Sequence, residues 1–171
     1  MNQTMIIAFM IYSDIDIEGM KRHFDPQYLT KKLDVIPIHS QTYNPKFDGN
    51  PRTRMPGNPY CSSWIYRITG IMLEENNTSP ELHMINLLKE LDRTLFTPVN
   101  KRFIRELTDS NDIYCSVDIY TFNVGDMIAI VDIPHNILKS FIDIKADLSI
   151  HTHSKPLNEY ESYRYKKLFQ L

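Results

Sequence analysis

Residues 24–37 read FDPQYLTKKLDVIP, the pattern of a short capped helix that feeds a strand. Asp25 suits the N-cap, where its carboxylate can accept a hydrogen bond from a first-turn N–H that lacks a helical partner. Pro26 suits the next position, which needs no N–H and already wants its fixed φ. Leu29 and Leu33 stand one turn apart, so they share a face that can be buried. Pro37 forbids any continuation of the helix. Val35, Ile36 and Ile38 then predict a brief strand.

Upstream of this stretch, residues 4–12 are apolar on both faces, as in a central strand. Downstream, residues 40–62 hold Pro45, Pro51, Pro56, Pro59, Gly49 and Gly57, which exclude a regular element and predict a long loop. Strand character returns over 63–73 around Trp64, Tyr66, Ile68 and Ile71. A helix follows, with Ser79 as N-cap, Pro80 first and Glu81 at the positive end of the dipole. Leu82, Ile85, Leu88, Leu91 and Leu95 form its expected inner face. Pro98 opens a second helix, tightly joined to the first, with Val99, Phe103, Ile104 and Leu107 expected inward.

Residues 112–121 alternate cleanly. Ile113, Cys115, Val117 and Ile119 point to a core, while Tyr114, Ser116, Asp118 and Tyr120 make a polar-aromatic surface. A strand over 127–133, a helix over 134–144 with Ile137, Leu138 and Phe141 inward, and an edge-like strand over 148–152 complete the pattern. Residues 1–153 therefore read as a single α+β domain, and 154–171 as a C-terminal extension with weak helical spacing.

With 171 residues, 42% of them hydrophobic and 23% charged, the chain can bury a real core without staples. A net charge of −2 gives no overall drive towards nucleic acid or anionic membranes, so both are disfavoured as partners. Two cysteines, Cys61 and Cys115, without a CxxC pair suit a reducing cytosol and predict two free thiols. Residues 5–11 are apolar, but no positive region precedes them and Asp14 and Asp16 follow at once. A first strand explains them better than a signal peptide, and the expected location is the cytoplasm.

Chemistry-bearing motifs are sparse. His151 and His153 share a strand face, and His135 could add a third nitrogen, yet no Cys or Glu completes a metal-ligand spacing. The simpler reading is that His151 and His153 end an exposed strand and shield its edge, and no cofactor is expected. Asp14, Asp16 and Glu18 alternate, with Gly19 at the sixth place of a calcium loop, but Asp25 stands at the twelfth, where glutamate belongs. No GxSxG elbow, Walker loop or GxGxxG occurs. Lys46, Arg52 and Arg54, with Tyr43, Phe47 and Tyr60, make a basic-aromatic loop of the composition that favours protein contacts or base stacking.

The chain resembles the bacterial family of domain of unknown function 4279. The resemblance rests on FDPQYLTKKLDVIP, on a loop element with Lys46 and Gly49, on the tryptophan strand SSWIY and on the alternating strand IYCSVDIY. It continues through the closing segment MIAIVDIPHNILKSFIDIKADLSIH. Asp34 stands where the family usually has a glycine after the first helix, and this chain has extra residues at 14–23, in the 45–60 loop and in the tail from 154. The resemblance implies helices packed on one face of a mainly antiparallel sheet. It also implies an association with secreted bacterial toxins. The expected function is thus a cytoplasmic immunity protein that neutralises one cognate toxin, as a monomer or homodimer. Its expected contact residues are Asp14, Asp16, Glu18, Lys46, Arg52, Arg54, Tyr60, Tyr114, Asp118 and Tyr120. The alternative is a small metal- or ligand-dependent enzyme using His135, His151 and His153.

Overall fold

The computed structural model describes residues 3–13, 24–41, 62–72, 79–109, 113–122 and 132–155. They form strands β1 (Gln3–Ser13), β2 (His39–Gln41), β3 (Ser63–Met72), β4 (Ile113–Phe122) and β5 (Asp147–His153), with helices α1 (Pro26–Leu33), α2 (Pro80–Leu95), α3 (Pro98–Asp109) and α4 (His135–Asp143). The strands lie in one sheet in the order β2-β3-β1-β4-β5. β1 is central, as its apolar run requires, and pairs antiparallel with both β3 and β4. β2 pairs antiparallel with β3, whereas β5 runs parallel to β4 after the crossover through α4. The fold is a single α+β domain with a mainly antiparallel mixed sheet.

Alternation along β1 sorts the core into two layers. Met5, Ile7, Phe9 and Ile11 point to the side where Leu29 and Leu33 of α1, Leu88 of α2, Ile104 of α3 and Phe141 of α4 are buried. All four helices therefore lie on one face of the sheet. Ile6, Ala8 and Met10 point to the other side and join Ile65, Tyr120 and Phe122 in a second buried cluster.

The helix starts follow from local chemistry. Asp25 Oδ1 accepts from the N–H of Gln27 at 2.9 Å, and Ser79 Oγ accepts from that of Leu82 at 3.2 Å. α1 ends on Asp34 in the left-handed region (φ 54°, ψ 38°), with its N–H donating to Thr30 O at 3.1 Å. Asn100, 8% exposed, joins helix ends: its Nδ2 donates to Leu33 O at 3.2 Å and to Leu95 O at 2.9 Å. Two carbonyls that α1 and α2 leave without a helical partner are thereby satisfied by one side chain. Charge ties α3 to α4 and the turn beyond it. Lys101 lies 3.6 Å and Lys139 2.8 Å from Asp143, while Asp109 pairs with both Arg105 and Lys145.

Several expected details differ. Val35 to Ile38 do not form the brief strand: β2 begins at His39, with Ile38 N–H already donating to Ile65 O at 2.8 Å, because the left-handed turn at Asp34 and Pro37, which has no N–H, delay the chain's entry into the ladder. The buried stripe of α2 is Met84, Leu87, Leu88, Leu91 and Leu95, which leaves Leu82 48% exposed. Val99 is 75% exposed, and Asn100 takes the inward place beside it. Asp132 and Ile133 are not strand; the rest of the expected 127–133 strand, most of the 40–62 loop, Cys61 and the tail from 156 lie outside the described residues.

Candidate functional site

The sheet face away from the helices gathers most of the chemistry-bearing side chains, and strand register maps it row by row. Ala8 of β1 is flanked by Arg67 of β3 and Asp118 of β4, with Ser149 of β5 beyond Asp118. The next row runs Thr69, Ile6, Tyr120, His151, and another runs Ser63, Tyr12, Tyr114. An arginine and a carboxylate thus sit on either side of the one methyl side chain at the centre of the face.

Aromatic stacking fixes this surface. Tyr120 lies flat on His151, with ring centroids 4.7 Å apart and planes at 13°, and Phe122 lies on His153 at 4.8 Å and 15°. Tyr12 stacks on Tyr114 at 5.6 Å. The Tyr120 hydroxyl donates to Asp118 Oδ2 at 3.4 Å. Burial lowers the pKa of the Arg67 guanidinium, and burial together with the neighbouring His151 lowers that of His153.

These positions correct the expected surface. Tyr114, Asp118 and Tyr120 do share one side of β4, but Asp118 is 8% and Tyr120 1% exposed, so neither is an open contact residue. Alternation identifies the face; it does not say what the face meets. Only Tyr114 of the three is partly exposed. Asp14, Asp16, Glu18, Lys46, Arg52, Arg54 and Tyr60 lie outside the described residues.

The histidines do not converge as a metal centre would need. His151 and His153 share a face as expected, but each imidazole is stacked on a ring of β4, and His135 opens α4. Among the described residues no group of three His, Cys, Asp or Glu side chains could hold an ion. Cys115 faces the core, its Sγ donating to Ile144 O at 3.3 Å. Burial, reinforced by the Asp147 carboxylate, pushes its pKa up to about 12, the reverse of an activated thiolate. Among the described residues no helix is long and apolar enough to cross a membrane.

A second surface escapes the reading of the sequence. Tyr28 on α1 is 49% exposed, yet its ring meets Phe103 of α3 edge-on at 6.0 Å and carries Lys32 Nζ 5.6 Å from its centroid. Val99 stands one turn before Phe103 on α3 and widens the apolar strip. The available signal was the Tyr28–Lys32 spacing of four, which puts both side chains on the outer side of α1.

The two motifs on which the family resemblance turns also meet in space. The Trp64 indole N–H, on β3, donates to Thr30 Oγ1 of α1 at 3.0 Å. The family model for the domain of unknown function DUF4279 matches residues 2–155. The chain belongs to the DUF4279 family. The match spans every described element of this DUF4279 domain, from β1 to β5. No curated protein and no solved structure matches the chain.

Proposed function

We propose that this DUF4279 domain is a cytoplasmic immunity protein that binds one cognate bacterial toxin and neutralises it. The association with secreted toxins implied by the family resemblance supplies the class of partner. The observation that carries the reading is the ridge between α1 and α3, where Tyr28 is half exposed but held by Phe103 and Lys32. A tyrosine fixed before binding offers a large amphipathic contact with little rotamer entropy left to lose, the property of a protein-binding hot spot. Val99, 75% exposed and one turn from Phe103 on α3, would contribute about 1.5–3 kcal/mol if a partner covered it fully.

Neutralisation of this kind needs no chemistry from the inhibitor. The ridge occludes a toxin surface through shape, and Lys32 at its rim selects a partner with a carboxylate beside an apolar pocket. The test is affinity purification of the tagged full chain from its native host, followed by mass spectrometry. Retention of one near-stoichiometric toxin domain, lost with Val99→Asp and with Tyr28→Ala while thermal unfolding stays unchanged, is the expected result. An empty column from the native host sinks the immunity reading. Retention by both variants moves the interface away from α1 and α3.

A further inference from the structure

β5 closes one side of the sheet, and its outer edge pairs with no strand among the described residues. It is seven residues long, DLSIHTH, and contains neither lysine nor proline, the usual guards of an open edge. On the helix side of the sheet, Leu148 and Ile150 stand in register with the fully buried Val117 and Ile119 of β4, yet are 37% and 42% exposed. The core layer thus runs out to the sheet edge, where both side chains remain partly exposed.

We infer that this edge joins a second copy of the same chain, β5 against β5, antiparallel about a two-fold axis through Ile150. The strand is self-complementary in that register. Asp147 faces the partner's His153 and His153 faces the partner's Asp147, so a carboxylate acceptor meets an imidazole at both ends. Ser149 faces the partner's His151, a donor and an acceptor side by side. Ile150 meets the partner's Ile150 on the axis, with Leu148 packed next to it. All of these pairs respect the pleat: Asp147, Ser149, His151 and His153 share one face, and Leu148 and Ile150 share the other. The interface is isologous, closes on itself, and removes the exposed edge by making one continuous sheet from two chains. It involves neither α1 nor α3 and does not depend on the immunity reading.

Two measurements on the purified full chain test it. Light scattering after size exclusion, across micromolar to submillimolar concentrations, is expected to show a monomer–dimer equilibrium that Ile150→Lys shifts wholly to monomer with an unchanged circular dichroism spectrum. In a Cys61→Ser background, Ile150→Cys is expected to give a covalent dimer under mild oxidation, because the axis brings the two positions within disulfide reach, whereas Leu148→Cys is not. A chain that is monomeric at every concentration overturns the inference, as does equal cross-linking at 148 and 150. Monomers whose β5 amides gain exchange protection only when a toxin is bound overturn it in favour of strand addition by that toxin.

Discussion

Trp64 and Thr30 are joined by a hydrogen bond of 3.0 Å from the indole Nε1 to Oγ1, and that hydroxyl donates in turn to Pro26 O at 3.0 Å. The relay fastens α1 to β3 across a part of the core where Trp64 is 0% exposed. Thr30→Val keeps the shape and removes the acceptor. A buried N–H left without a partner costs about 1–3 kcal/mol, so urea unfolding should shift to lower midpoints by that amount. Thr30→Ser should recover most of the loss. Trp64 is the sole tryptophan, so its fluorescence follows this contact directly. An unchanged midpoint for Thr30→Val would mean that the relay contributes nothing.

Asp34 occupies the left-handed region at the end of α1, a conformation that glycine adopts without a steric cost. A side chain is strained there, and a carboxylate at a helix C-terminus also opposes the dipole. Asp34→Gly should therefore stabilise the domain by about 0.5–1 kcal/mol, and Asp34→Ala should destabilise it, because alanine lacks the local tolerance of aspartate for this conformation. Thermal denaturation of the two variants decides the sign.

Gly70 is where α2 comes down onto β3. A methyl group at this position would run into the His83 imidazole and would lie 2.9 Å from Leu87 Cδ1. Gly70→Ala should cost about 1–3 kcal/mol through overpacking. His83→Ala in the same chain should recover part of that cost, whereas additive losses would place the clash on Leu87. A double-mutant cycle of unfolding free energies separates the two.

Acid should loosen the α3–α4 connection. Hydrogen bonding from Lys145 to Asp109, and from Lys139 to Asp143, holds both carboxyls below the usual carboxylate range. Folded pKa values that lie below the unfolded ones contribute stability that is complete above the unfolded value, about 3.9, and fades as the pH falls through the folded values. The Asp109→Asn, Asp143→Asn double variant should thus show a shallower loss of stability below about pH 4 than the natural chain. Parallel curves would remove these pairs from the acid response.

Much of this architecture is legible in residue order because it rests on local chemistry. Asp25 and Ser79 cap the helices they are expected to cap, Cys115 faces the core as the alternation of β4 requires, and β5 lies at the edge of the sheet among the described residues. What escapes depends on contacts between distant segments. α2 offers two overlapping apolar stripes, one through Leu82 and Ile85 and one through Met84 and Leu87, and the approach of His83 to Gly70 selects the second. Val99 turns outward because Asn100, a polar residue, is needed inside to reach Leu33 O and Leu95 O. The α1–α3 ridge was hidden for the same reason, since Tyr28 and Phe103 come together only once both helices are docked. Asp118 and Tyr120 look like surface residues until they are seen to be buried at the centre of the far face, beside Ile6, Ala8 and Phe122.

The central place of β1 has a consequence for how the chain is born. Its neighbours β3 and β4 are both translated after it, so Ile7 leaves the ribosome long before Ile119, its partner across the sheet. At ordinary rates of synthesis the wait is on the order of ten seconds. Throughout it MIIAFMI is an apolar segment with no sheet to enter, and any holdase acting on the nascent chain has its natural foothold there.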